Sequence, residues 1–114
     1  MSTKERNNST MTANELTPAY PTHPGEILKD EIEYCGITQR ELAERMGLQY
    51  SVVNEILNGR RPLTAKTAMM FEAALGVSAE PLMTLQMKYN MQSARKDDTF
   101  MKRLAEIRRI AAVL

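Results

Sequence analysis

Thr38-Gln39-Arg40-Glu41-Leu42-Ala43-Glu44-Arg45-Met46-Gly47-Leu48-Gln49-Tyr50-Ser51-Val52-Val53-Asn54-Glu55-Ile56-Leu57-Asn58 reads as two short helices meeting at a glycine. Ala43 is small enough to let two helix backbones approach, and Gly47 can take the positive φ of a tight inter-helix turn. Leu42, Met46, Leu48, Val53 and Ile56 fall at the apolar positions that pack such a pair onto other helices. Gln39, Gln49, Tyr50, Ser51, Asn54 and Asn58 are left polar and outward, with amides and hydroxyls suited to base edges and phosphates. The pattern is that of a DNA-binding helix-turn-helix with a recognition helix over about residues 49–58. Thr38 and Glu41 supply a capping box at its start, and Asn58-Gly59 supplies the stop.

Working outward, Pro24-Gly25-Glu26 opens a first helix in which Ile27, Leu28, Ile32 and Cys35 keep helical spacing until Gly36. Cys35 is expected near the core. After the motif, Gly59-Arg60-Arg61-Pro62-Leu63 is a loop whose proline blocks continuation of the helix. Thr64 caps a fourth helix with an apolar stripe of Ala68, Phe71, Ala74 and Leu75, ending at Gly76, and Val77 tucks into the core. A fifth begins after Ser78, tolerates Pro81 in its first turn and runs to about Arg95. A sixth follows from Asp97 or Asp98, through Phe100, Leu104, Ile107 and Ala111. The fold class is therefore all-α: a five-helix DNA-binding domain over 24–95 and an added C-terminal helix over 96–114. Residues 1–23, rich in Ser, Thr and Asn with Pro18 and Pro21, read as a disordered arm.

The 114 residues allow one small core. With 43% hydrophobic and 25% charged residues, the composition is that of a soluble globular protein. No apolar run approaches the roughly 20 residues of a membrane span, and the N-terminus lacks the apolar stretch of a signal peptide. The single cysteine fits a reducing, cytoplasmic setting. One His and one Cys leave no intrachain zinc site and no triad beyond His23, and no glycine-rich phosphate loop is present. Neither an enzyme nor a bound cofactor is expected.

Charge is less helpful. Residues 25–62 carry five Lys/Arg against seven Asp/Glu, and residues 86–114 seven against three. Glu26, Asp30, Glu31 and Glu33 of the first helix would have to face away from DNA, leaving Arg40, Arg60, Arg61 and Lys66 for phosphates. The fifth helix carries two apolar rows, Leu82, Leu85 and Tyr89 beside Met83, Met87 and Met91. One helix face cannot bury both in a small domain. Since one recognition helix covers only a half-site, a homodimer is expected, joined through these rows with Phe100, Leu104 and Ile107.

The stretch Pro21-Thr22-His23-Pro24-Gly25-Glu26-Ile27-Leu28 resembles the opening of HigA-type antitoxins within the Xre helix-turn-helix family. Ile56-Leu57-Asn58-Gly59-Arg60-Arg61-Pro62, Ala73-Ala74-Leu75-Gly76 and Leu85-Gln86 are similar too, so the resemblance covers residues 21–95. It implies a repressor-like dimer that binds an operator ahead of its own operon and neutralises a HigB-type toxin, an mRNA-cleaving ribonuclease. It also implies that Gln39 and Asn58 contact phosphates and that Tyr50, Ser51 and Glu55 face bases. Glu55 departs from the basic or amide residue often found there; as a pure acceptor it suits cytosine N4 and repels phosphate. Two alternatives stand beside this reading: a stand-alone repressor with the same fold, and a helical interaction module without DNA binding.

Overall fold

The computed structural model describes residues 22–113, so the arm expected over 1–23 lies almost wholly outside the described residues. The described residues form six helices and no strand: α1 Pro24–Cys35, α2 Gln39–Met46, α3 Tyr50–Leu57, α4 Ala65–Leu75, α5 Ala79–Arg95 and α6 Asp98–Ala112.

Side-chain caps set most of the boundaries. His23 is extended at the N-cap of α1, its Nδ1 accepting from the Gly25 N–H at 2.9 Å, with Pro24 at the first helical position. The ordered domain thus takes in His23, which sequence reading assigned to the arm. Thr38 and Glu41 exchange the two bonds of a capping box, 3.1 and 2.8 Å. Thr64 and Thr67 do the same for α4. At α5 the capping acceptor is not Ser78, which makes no such bond; the Glu72 carboxylate of α4 accepts from the Ala79 N–H at 3.2 Å. Asp97 caps α6 through the Phe100 N–H at 3.0 Å. Between α2 and α3 the chain reverses at Gly47, φ +67°, a conformation that costs a glycine nothing.

The core draws on α1 to α5: Leu28 and Ile32, then Leu42, Ala43 and Met46, Val53, Ile56 and Leu57, Leu63 of the loop, Ala68 and Phe71, and Ala79 and Leu82. Phe71 sits fully buried at its centre. Two expectations are corrected here. Cys35 is exposed, its thiol donating to the Glu31 carboxylate, one turn back on the solvent side of α1. Leu82, expected between subunits, is 2% exposed and belongs to the domain's own core. The helix buries Leu82 and Gln86 inward and leaves Met83, Leu85 and Tyr89 half-buried.

No residue of α6 is buried. The helix lies against the distal part of α5, where Met91, Ala94 and Arg95 meet Phe100, Met101, Leu104 and Arg108 around a shallow depression. Met87, Phe100 and Ile107 remain 57%, 40% and 55% exposed.

Candidate nucleic-acid interface

The close seating of α1 on α3 frames this face. A Cβ on Gly25 would run into the backbone carbonyl oxygens of Ile56 and Leu57, so the first turn of α1 abuts the end of α3 in a way only glycine permits. His23, immediately before it, is 4% exposed. Its ring stands edge-on to Tyr89 of α5, centroids 4.9 Å apart, and a Cβ added at Gly59 in the loop after α3 would lie 3.6 Å from it. Burial lowers the His23 pKa below the ordinary imidazole value, against the opposing pull of the Arg61 carbonyl, which accepts from the ring, and of Glu26. A neutral ring suits the site, because Nδ1 must stay an acceptor for the Gly25 N–H.

A second buried polar group holds the other end of that loop. The Gln86 side chain of α5 is 3% exposed. Its Oε1 accepts from the Leu63 N–H at 2.7 Å and its Nε2 donates to Asn90 at 2.9 Å. The segment Gly59 to Leu63 is therefore fixed at both ends, with Arg60 and Arg61 exposed between them. Sequence reasoning missed both supports. The signals available were a His at the capping position before Pro24, and a lone Gln one turn after Leu82 on an otherwise apolar face.

The polar residues of α2 and α3 converge on one surface, and several of them bond to one another. Asn54 is half-buried, its Nδ2 donating to Gln39 Oε1 at 2.9 Å, so the two helices of the motif are pinned by the amides expected to point outward. That bond uses the Gln39 carbonyl oxygen and leaves its amino group as the donor. Arg40 lies over the Tyr50 ring, 4.6 Å from its centroid, joining the two helix starts by a cation–π contact. Arg61 places Nε and Nη2 on Glu55 Oε1 at 2.9 and 2.7 Å. Asn58 donates back to the Asn54 carbonyl at 2.9 Å, closing the helix end. Gln49 makes no capping bond, and it and Ser51 are exposed. The acids of α1 are not all remote, since Asp30 and Glu33 line a groove with Gln39. No described helix is long and apolar enough to cross a membrane.

Two short helices joined at Gly47, the second carrying amides, hydroxyls and charge along its exposed edge, define a helix-turn-helix protein, and the helix-turn-helix family model matches residues 28–82. Antitoxin HigA-1 of Vibrio cholerae is 38% identical over 80 residues, which are 69% of this chain and 75% of that protein. An addiction module antidote protein of the HigA family from Coxiella burnetii superposes with a TM-score of 0.66 at 32% identity, over 76% of this chain and 94% of that one. The Pseudomonas aeruginosa antitoxin HigA, solved with the higBA promoter, aligns with a TM-score of 0.61 at 33% identity, over 65% and 82%. The chain belongs to the HigA-type antitoxins of the Xre helix-turn-helix family.

Proposed function

We propose that this protein is the antitoxin of a type II toxin–antitoxin module, binding operator DNA as a homodimer in the cytoplasm, repressing its own operon and neutralising a HigB-type toxin. The observation that carries the DNA half of the reading is the polar edge of α3 on a loop-braced frame, in a chain similar to an antitoxin solved with its promoter. Tyr50, Ser51, Asn54 and Glu55, with Gln49 at the start, are the residues we assign to base edges. Gln39, Asn58 and Arg60 are assigned to the backbone, while Arg61, expected there from the sequence, is held on Glu55; Gln39 and Asn54 would act together, since their bond to each other orients both.

The subunit contact is assigned to the outer face of α5 and α6. Leu82 is excluded from it, leaving Met83, Leu85, Met87, Tyr89, Phe100, Leu104 and Ile107, with Tyr89 partly engaged by His23. The domain assigned to residues 24–95 takes in the His23 cap, and α6 follows it as an added C-terminal helix.

The test uses duplex DNA from immediately upstream of the operon, titrated at several salt concentrations. Sequence-selective binding that weakens as salt rises supports the reading. Equal binding to scrambled duplex removes the repressor role and leaves the interaction-module alternative. Co-expression with the adjacent toxin frame separates an antitoxin from a stand-alone repressor: growth is rescued only by the former.

A further inference from the structure

The Glu55–Arg61 pair occupies the edge of α3 that the proposed function places in the major groove, with both side chains partly exposed. Both guanidinium contacts fall on one carboxylate oxygen, Oε1. Glu55 Oε2 and Arg61 Nη1 have no hydrogen-bond partner among the described residues. The backbone beneath the pair is anchored separately. The Glu55 carbonyl accepts from the Arg60 and Arg61 N–H groups at 2.8 and 3.2 Å, and Gln86 holds Leu63. Arg61 is therefore presented to Glu55 by a fixed loop, and shortening its side chain leaves that loop in place.

A carboxylate on a groove-facing helix would by itself repel phosphates and swing freely. Held at one oxygen by two donors of a planar guanidinium, it is restrained and its charge offset, and its second oxygen is left as the acceptor. In the major groove only the cytosine N4 and adenine N6 amino groups donate, and adenine places an N7 acceptor beside its donor, which a carboxylate disfavours.

Resting on the DNA-binding reading above, we infer that Glu55 and Arg61 form one specificity unit: Glu55 Oε2 selects a cytosine, and Arg61 is a positioning residue that orients the carboxylate and cancels its charge. Arg61 then sets sequence preference while touching no base. Lysine cannot replace it, because an ammonium supplies the charge without the fork.

The experiment selects duplexes from a pool with a randomised central region using the full chain. Affinities of Glu55→Gln, Glu55→Ala, Arg61→Ala and Arg61→Lys are then measured on the selected duplex, on its single-base derivatives and on mixed-sequence DNA, across salt. Wild type is expected to favour cytosine at one position per half-site by about tenfold. Glu55→Ala and Arg61→Ala both reduce that preference, at that position alone, to within about twofold, set against the tenfold of a good contact. Glu55→Gln binds mixed-sequence DNA more tightly, with a log–log salt slope steeper by about one, as an uncancelled Arg61 engages a phosphate. Arg61→Lys keeps the wild-type slope but not the cytosine preference. The inference is overturned if Arg61→Ala weakens every duplex alike with the preference intact, if Arg61→Lys behaves as wild type, or if Glu55→Ala selects the same motif. A wild-type protein that enriches no motif overturns it together with the DNA-binding reading, whereas a motif lacking the cytosine overturns this assignment alone.

Discussion

At the scale of single residues, the opening His23-Pro24-Gly25 turns out to be structural in a way that its chemistry explains. Gly25 is required by proximity, since any side chain meets the carbonyl oxygens that close α3. Gly25→Ala is expected to destabilise the domain by at least about 2 kcal/mol, because the obstructing atoms are backbone and cannot rotate away; urea unfolding followed by circular dichroism measures it. A variant as stable as wild type would mean that α1 sits farther from α3. His23 makes a second prediction. Its folded-state pKa lies below the unfolded value of about 6.5, so the unfolded chain binds the extra proton first. The stability it contributes is fully present above that unfolded value and is lost as pH falls through 6.5 towards the lower folded-state value. His23→Asn, which can still cap α1, should remove this dependence between about pH 7.5 and 5.5, while carboxylates dominate at lower pH. Melting curves of the two proteins that stay parallel over this window would refute the role.

At the scale of elements, α3 and the loop that follows it divide the work differently. The exposed hydroxyl of Ser51 lies on the helix edge, whereas Arg60 projects from the braced loop. Ser51→Ala is expected to change which duplexes are preferred; Arg60→Ala should weaken all of them comparably and reduce the salt slope by about one. Fluorescence anisotropy on selected and scrambled duplexes distinguishes these outcomes, and a uniform loss in both variants contradicts the division. Much of the element layout is legible in the sequence because caps and glycines are local signals: the Thr38–Glu41 box, Thr64, Gly36, Gly47 and Gly76 act where they stand. The cap of α5 was not legible, since its acceptor, Glu72, comes from the preceding helix and reaches Ala79 through the tertiary fold.

For the whole molecule, the question is what the α5–α6 hairpin contributes beyond the five-helix core. Among the described residues, the buried apolar ones lie in α1 to α5 and the Leu63 loop. A chain ending at Lys96 is therefore expected to keep its melting temperature within a few degrees, the equivalent of roughly 1 kcal/mol, while losing the second subunit. Light scattering at tens of micromolar should report twice the monomer mass for the full chain and the monomer mass for the truncation. A monomeric full chain that still binds operator with full affinity would end the dimer proposal, since one α3 spans only a half-site.

Local chemistry and periodicity suffice for the all-α class and for the helix starts, because each depends on residues within a turn or two of one another. Pairings between distant segments depend on how the helices pack. Tertiary structure alone decided that Leu82 is core, that His23 and Gln86 brace the loop from opposite ends, and that Asn54 and Glu55 are already engaged by Gln39 and Arg61. Of these, the bond from Gln86 to Leu63 spans 23 positions and that from Asn54 to Gln39 spans 15. A pattern with a period of 3.6 residues states which face a side chain occupies, but not which partner the folded chain brings to it.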